Sequence, residues 1–347
     1  MGSNPQHRCE GGFASSEMPP PLMVASFRGI ACLVVIAGDH SRACAMAVLG
    51  PIVLPRCQRG LRRGMGWSRE WETQDTDMKI DAVVPFHPKD HDTIGWCIQG
   101  IRKHLDVGRV LVVGSRECRS LVENLGAVFV DEDSVVEGLT AQSVQNKRWG
   151  WYFQQILKLG MADWVETAYY IVVDADTVFL RDVSLLNEAG KPLYAVGTEY
   201  HKPYFDVFER LLGFSASREY SFTVHHMVYS RDIVREMRER FPDKPWYSSI
   251  VRYVEPQAPW FSESQFSEYD TYGHYVKAMH PEEANIRPLM WANVALEPSP
   301  GLFRRLARYY DYCSLHACSR AGVSFPRRAR RRLGFELRLL RACLGMV

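Results

Sequence analysis

The cysteines of this sequence lack the spacing that disulfide scaffolds and zinc modules need. There are nine of them in 347 residues, an odd number, and no two form a C-x-x-C pair. Disulfide frameworks and structural zinc sites both depend on regularly spaced cysteines. The sequence therefore argues against either arrangement, and we expect reduced thiols in a cytoplasmic protein.

The sequence also lacks an apolar run that would cross a membrane without interruption. Residues 29–54 are apolar at both ends, but Asp39, His40 and Arg42 stand in the middle. A charged side chain at the bilayer centre costs about 2.5–3.5 kcal/mol on insertion scales, so this segment makes a poor transmembrane helix. Basic residues are not interleaved with aromatic residues along one face, so we expect no nucleic-acid partner.

Lysine is missing from the start of the chain, and acidic residues are nearly missing from its end. Residues 1–77 carry eight arginines and no lysine, and residues 319–347 carry eight arginines against one glutamate. The patterns of a folded domain begin only after residue 77. We predict a single folded domain over 78–318, with halves 78–183 and 184–318. The segment 1–77 is interpreted as a disordered, targeting or mis-annotated leader, and 319–347 as a basic amphipathic tail.

The tail combines an arginine run, Arg327 to Arg332, with leucine and phenylalanine residues that follow it. A basic amphipathic helix of this kind lies on anionic membrane surfaces. An arginine run that is simply solvated is the commoner outcome, so both interpretations stay open. The first of them predicts peripheral membrane contact through residues 326–345.

Strand and helix patterns alternate through the first half of the predicted domain. Such alternation predicts a parallel sheet built from βαβ units. The fold class that follows is α/β, a mixed and mostly parallel sheet flanked by helices. In the third helix, Ser143 is the expected N-cap, Gly160 the expected stop, and Lys158 lies off the apolar stripe. The predicted strands are 80–86, 109–114, 127–130, 193–196 and 221–229, and the predicted helices are 93–105, 119–125 and 143–159.

Two aspartates that follow a buried strand form the most informative motif of the chain. Five apolar residues, 169–173, run without alternation into Asp174-Ala-Asp176. Residues i and i+2 of a strand point the same way, and open α/β sheets bind ligands at the carboxyl ends of their strands. Paired carboxylates there suit Mg²⁺ or Mn²⁺ together with phosphate oxygens. A short Asp-x-Asp triplet is also typical of a solvated turn, but the apolar runs on both sides favour a metal–diphosphate site.

Three sequence blocks resemble those of a known family. They are Gly150-Trp-Tyr-Phe-Gln-Gln-Ile-Leu-Lys-Leu159, Val172-Val-Asp-Ala-Asp-Thr-Val-Phe179 and Phe266-Ser-Glu-Tyr-Asp-Thr-Tyr-Gly273, with Phe222-Thr-Val-His-His-Met227 as a further block. Over about residues 78–318 the chain resembles nucleotide-diphospho-sugar glycosyltransferases of the GT-A fold. It is most similar to a bacterial, algal and viral group with these blocks.

The resemblance implies a GT-A-like, Rossmann-like domain whose first half binds the nucleotide sugar and whose second half binds the acceptor. The implied activity is hexosyl or deoxyhexosyl transfer from a nucleotide-diphosphate donor to a glycan, lipid-linked or other hydroxyl acceptor. Sugar transfer passes through an oxocarbenium-like state, and a divalent metal neutralises the departing diphosphate. The implied metal is Mn²⁺ or Mg²⁺, held by Asp174, Asp176 and a late histidine, His316.

An inverting transferase also needs a base, and a carboxylate suits that role. By resemblance the base lies in the segment of Glu268 and Asp270, with Glu268 preferred. The competing interpretation makes these residues helix N-terminal carboxylates that act as caps. The implied donor-binding residues are Pro85, His87, Lys89, Asp90, Trp151, Gln154, Gln155, Asp174, Ala175, His225 and His226.

Two other function classes stay open at this point. Haloacid-dehalogenase-like phosphatases also carry an Asp-x-Asp motif after an apolar strand, and there Asp174 would be a nucleophile. That class places the motif near the start of the domain, whereas three βα-like units precede it here. A non-catalytic nucleotide-sugar-binding protein is the third interpretation, and it has no need of the metal pair that this sequence retains.

Overall fold

The computed structural model describes residues 24–27, 30–33, 80–144, 148–254 and 264–316. The chain divides into two units, Met1–Thr73 and Gln74–Val347. In the first unit, β1 (Val24–Phe27) pairs antiparallel with β2 (Ile30–Leu33). The remaining predictions for the leader, and those for the 319–347 tail and its membrane contact, lie outside the described residues.

The second unit alternates strands and helices along the chain. Its strands are β3 (Ile80–Pro85), β4 (Val107–Gly114), β5 (Val128–Asp131), β6 (Tyr169–Val173), β7 (Thr177–Phe179), β8 (Leu193–Ala195), β9 (His226–Ser230), β10 (Asn285–Arg287), β11 (Trp291–Asn293) and β12 (Tyr312–Ser314). Its helices are α1 (His91–His104), α2 (Arg119–Asn124), α3 (Trp149–Gly160), α4 (Lys202–Leu212), α5 (Arg231–Glu239), α6 (Tyr247–Val254), α7 (Glu268–Met279) and α8 (Pro300–Leu306).

The central sheet has five strands in the order β5-β4-β3-β6-β9. Neighbouring strands are parallel except at β6 and β9, which pair antiparallel. The predicted α/β class, with a mixed and mostly parallel sheet flanked by helices, is therefore confirmed.

Both faces of this sheet are covered, which explains why its strands are apolar without alternation. On one face Ala82 and Val84 pack with α1 residues such as Ile98. On the other face Val83 packs with α3 and α7 residues such as Ile156. Parallel strands that are buried on both sides read as continuous hydrophobic runs for this reason.

Two smaller sheets take most of their strands from the second half of the domain. In one, β12 pairs antiparallel with β7 and parallel with β11. In the other, β8 pairs parallel with β10. Since β7 follows the two aspartates directly, the β7–β12 pairing brings residues near 316 to the carboxyl end of β6.

Several predicted boundaries differ from the structure, two of them by five residues or more. Gly160, the expected stop of the third helix, is instead its last residue, with a helical φ of −62°. The third helix begins at Trp149 instead of 143, because the Ser143 hydroxyl accepts a hydrogen bond from the Thr140 amide (2.8 Å) within a turn. The strand predicted over 221–229 begins only at His226, because the Asp270 carboxylate accepts from the Phe222 amide (2.6 Å). The carboxylate takes the place of a strand partner at Phe222, and only Ser221 keeps an isolated backbone bridge, to Gly197. Among the described helices, none is both long enough and apolar enough to cross a bilayer.

Candidate functional site

A cavity of about 400 Å³ lies at the carboxyl ends of β3 and β6. Its walls come from both halves of the domain, including α3, the loop before β9 and the first turn of α7. Its lining consists of Pro85, Lys89, Asp90, Trp151, Gln154, Gln155, Lys158, Asp174, Ala175, Asp176, Glu199, Tyr204, Thr223, His225, Ser267, Glu268, Tyr269, Trp291, Asn293 and His316.

Asp174 lies at the centre of the cavity and is surrounded by hydrogen-bond donors. Its Oδ1 accepts from the Lys158 ammonium (2.7 Å) and from the Tyr269 hydroxyl (2.8 Å). Its Oδ2 lies 3.4 Å from Nδ1 of His225. Burial opposes ionisation, but the Lys158 ammonium and the His225 ring hold the pKa of the Asp174 carboxyl well below its usual value. Asp174 is thus an ionised carboxylate.

Lys158 links Asp174 to a second carboxylate. Its Nζ also donates to Oε1 of Glu268 (2.5 Å) and lies 4.1 Å from the centre of the Tyr269 ring. The side chains of Lys158 and Glu268 are only 7% and 3% exposed. Burial and the nearby Asp174 raise the pKa of Glu268, and Lys158 opposes that rise. A buried cation therefore holds two carboxylates from distant elements together.

Asp176 and His316 form a second cluster at one side of the cavity. Oδ2 of Asp176 lies 3.1 Å from Nδ1 of His316, and Oδ1 accepts from the Ser314 hydroxyl (3.0 Å). The Leu315 amide donates to the Asp176 carbonyl (2.8 Å), which continues the β7–β12 register and fixes the position of His316. The hydrogen bond to Asp176 raises the pKa of His316, although burial opposes this.

The donor set of Asp176 and His316 fits a divalent metal. Carboxylate oxygen and imidazole nitrogen are ligands that Mn²⁺ accepts, and Mg²⁺ is commonly held by one or two carboxylates plus substrate phosphates. Within the described ranges, no group of three or more His, Cys, Asp or Glu side chains is arranged to hold a metal ion. An ion at this site would therefore need oxygen atoms of the substrate or of water to complete its coordination.

The adjacent histidines 225 and 226 have different surroundings. His225 lines the cavity, and its φ of 68° lies in the left-handed region that residues other than glycine rarely adopt. Backbone conformations of this kind persist where surrounding structure enforces them, often at functional sites. His226 instead points into the core, where Nδ1 lies 3.2 Å from the Val224 carbonyl oxygen and burial lowers its pKa to about 3.

Asp270 and His87 also lie outside the cavity lining. The buried Asp270 carboxylate accepts from the Phe222 amide and from the hydroxyls of Ser221 (3.0 Å) and Thr223 (2.9 Å). These bonds fasten the loop before β9 to the first turn of α7. The His87 ring is exposed and accepts from the Lys89 amide (3.1 Å).

The structure thus gathers most of the residues predicted from the sequence, but not His87, His226 and Asp270. Sequence reasoning also missed several lining residues. Lys158 was placed off the apolar stripe of its helix, although its position between Leu157 and Leu159 hinted at burial. Thr223, Ser267 and Tyr269 lie in the sequence blocks quoted above but were given no role. The other lining residues that were missed are Glu199, Tyr204, Trp291 and Asn293.

Comparisons with known proteins give one family and several structures. A family model described as a family of unknown function (DUF6492) matches residues 77–293. No curated protein matches the chain. Mouse xyloside xylosyltransferase 1, in its apo form, is 10% identical with a TM-score of 0.38, over 69% of this chain and 99% of the transferase.

Two further solved structures are similar at the same level. The apo structure of the bifunctional glycosyltransferase WbbM is 14% identical with a TM-score of 0.39, over 72% of this chain and 47% of WbbM, about half of that protein. Galactosyltransferase LgtC, in complex with donor and acceptor sugar analogues, is 10% identical with a TM-score of 0.39, over 68% of this chain and 87% of LgtC.

Proposed function

Because the chain belongs to a family of unknown function, DUF6492, we propose its activity from the site: metal-dependent transfer of a sugar from a nucleotide-diphosphate donor to a hydroxyl acceptor. One observation carries the proposal. Asp176, in the turn between β6 and β7, lies beside His316 in a cavity at the carboxyl edge of the sheet. That edge is where open α/β sheets bind nucleotides.

The charge of the cavity supports metal dependence. A nucleoside diphosphate is an anion, and carboxylates outnumber the ammonium groups in the lining, so an added cation is needed before the diphosphate binds well. A divalent metal would supply Lewis-acid stabilisation of the departing diphosphate. The lining carboxylates are Asp90, Asp174, Asp176, Glu199 and Glu268, and the lining lysines are Lys89 and Lys158.

We assign the nucleotide side to the residues after β3 and on α3, and the acceptor side to the second half of the domain. Glu268 remains our choice for the base that takes the proton of the acceptor hydroxyl, with inversion as the outcome, because it is the α7 carboxylate that lines the cavity. Asp270 receives a structural role, since three donors already engage it. The acceptor is proposed as a glycan or a lipid-linked sugar.

Calorimetry with UDP-, GDP- and dTDP-sugars, with Mn²⁺ and with chelator, tests the proposal. We expect one nucleotide class to bind in a metal-dependent manner and Asp176→Asn to abolish that binding, because the substitution removes an anionic metal ligand. The matched control is Asp182→Asn, since Asp182 is exposed and pairs with His104 instead of lining the cavity.

Two results would contradict the proposal. Binding that is indifferent to chelator and to Asp176→Asn would favour a non-catalytic binding protein. Hydrolysis of phosphate esters that disappears in Asp174→Asn, without nucleotide-sugar binding, would favour the phosphatase.

A further inference from the structure

Lys158 is a buried cation placed against one of the two aspartates of the motif and not against the other. It extends from α3 and reaches Oδ1 of Asp174 at 2.7 Å and Oε1 of Glu268 at 2.5 Å. The Tyr269 ring lies beside the same ammonium at 4.1 Å. An ammonium has three N–H donors, and here each of them has a neighbour: one of the two carboxylates or the face of the ring.

The contacts of Asp174 leave its carboxylate little capacity for a metal. Oδ1 already accepts from both Lys158 and the Tyr269 hydroxyl, and a carboxylate oxygen offers two lone pairs. Oδ2 faces the His225 ring, with Nδ1 at 3.4 Å. A divalent ion bound to this carboxylate would also lie close to the fixed positive charge of Lys158, and like charges repel strongly in a buried site.

Asp176 differs from Asp174 in the groups that face it. Its Oδ2 lies beside the His316 ring, which is itself a metal ligand when neutral. Its Oδ1 accepts from the uncharged Ser314 hydroxyl. Both carboxylates face a histidine ring, but among the described residues only that of Asp174 also accepts from a lysine.

We infer that Lys158 is a built-in counter-ion that keeps Asp174 out of the coordination sphere of the metal, so that the chain binds the ion through Asp176 and His316. Lys158 is then a positioning residue, which balances the charge of Asp174 and Glu268 and holds the end of β6 against the start of α7. The inference rests on the proposed metal-dependent function.

Mn²⁺ alone, titrated into the full chain and followed by the paramagnetic resonance of free Mn²⁺, tests the inference without a substrate. We expect Asp176→Asn to weaken Mn²⁺ binding roughly 10–100-fold and Asp174→Asn to change it by less than about threefold. Asn at position 174 keeps an oxygen for Lys158 and Tyr269, so this variant is the milder of the two structurally.

The outcomes separate the inference from the proposed function. An equal loss in Asp174→Asn and Asp176→Asn would overturn the inference alone, since both aspartates would then be ligands. Unchanged Mn²⁺ binding in Asp176→Asn would overturn the inference together with the metal site of the proposed transferase.

A second set of variants tests the role of Lys158 directly. The double variant Lys158→Met with Glu268→Gln removes the ammonium and its second carboxylate together, which frees Asp174 without leaving two unbalanced buried charges. We expect Mn²⁺ binding to tighten about tenfold, because the variant removes a positive charge that would repel an ion bound at Asp174. Adding Asp174→Asn should cancel the gain.

A role for Lys158 in packing alone would not produce a gain that depends on Asp174. Unchanged or weaker Mn²⁺ binding in the folded double variant, checked by near-ultraviolet circular dichroism, would overturn the inference. If the double variant does not fold, the comparison of Asp174→Asn with Asp176→Asn still decides the question.

Discussion

His274 shows at the scale of one residue how a buried polar group limits stability. Its side chain is 2% exposed, and among the described residues neither ring nitrogen has a hydrogen-bond partner, although Oδ1 of Asp270 lies 3.9 Å from Nε2. The rings of Phe205 and Phe222 lie 5.3 Å and 5.1 Å from it. Burial lowers the pKa of His274 to about 4. Below pH 6.5 the unfolded chain therefore binds a proton that the folded chain does not bind. The free energy of unfolding decreases as the pH is lowered.

We expect His274→Leu to stabilise the protein, and more at pH 5 than at pH 8. Removing two unsatisfied nitrogens should raise the free energy of unfolding by about 1–3 kcal/mol at pH 8. Loss of the protonation penalty should add about 2 kcal/mol at pH 5, at 1.36 kcal/mol per pKa unit. Urea denaturation at the two pH values measures both terms. Equal effects at pH 5 and pH 8 would show that His274 is not the group that titrates.

The two aspartates of the motif show the limit of sequence reasoning at the same scale. Asp174 and Asp176 occupy equivalent positions in an i, i+2 pattern, so the sequence treats them alike. Their environments differ because Lys158 reaches one and His316 reaches the other. That difference separates a charge-balanced carboxylate from a proposed metal ligand.

At the scale of the element, α7 combines a site segment with a tightly packed helix. Ser267 caps it, with its hydroxyl accepting from the Asp270 amide (3.2 Å), and Glu268 and Asp270 lie in the first turn. Glu268 and Asp270 thus lie at a helix N-terminus, as the capping interpretation predicted, but the cap itself is Ser267. One turn later, Gly273 lies against the ring of Phe222, which Asp270 holds in place through its amide.

We expect Gly273→Ala to destabilise the protein although alanine favours helices. An added Cβ would lie 2.2 Å from Cγ of Phe222, a buried ring atom, so the ring or the helix must shift. Overpacking of this kind costs about 1–3 kcal/mol, measured as the change in the free energy of unfolding in urea.

Gly301→Ala in α8 is the matched control, because a Cβ there meets no atom within 4 Å in the part of the chain that the structure describes. It should be neutral or stabilise by about 0.5–1 kcal/mol, as expected for alanine in a helix. If both variants change stability in the same direction, the contact with Phe222 does not restrict position 273.

At the scale of the whole molecule, the two halves of the domain depend on each other. The antiparallel strand β9 comes from the second half and pairs with β6 along its full length, from Tyr169↔Ser230 to Val173↔His226. The pairing of β12 with β7 joins the halves again. The site itself contains Lys158 from one half and Glu268 from the other.

We therefore expect a fragment that ends at residue 183 not to fold. It would expose the edge of β6 and the apolar face that α7 covers, and a small domain rarely tolerates such a loss of core. The measurement is urea denaturation of the fragment and of the full chain, followed by tryptophan fluorescence. A cooperative transition in the fragment would show that the first half is an independent folding unit.

The sequence by itself determined the alternation of strands and helices, the mostly parallel sheet and the aspartate pair at the end of a buried strand. These features are local, because the spacing of the apolar residues within an element indicates which of its faces are buried. The helix boundary at Ser143 was wrong even so, since a local hydrogen bond to Thr140 served a turn instead of a cap.

Only the tertiary structure decided which side chains meet at the site. Lys158 and Glu268 are 110 residues apart, and Ser314 reaches Asp176 across 138 residues. Such contacts arise from strand order and pairing across the molecule, and no pattern within one segment records them. Asp270 was predicted to be a site residue, but its buried carboxylate accepts hydrogen bonds from a loop instead. The sequence could not show this, because that loop lies about fifty residues earlier in the chain.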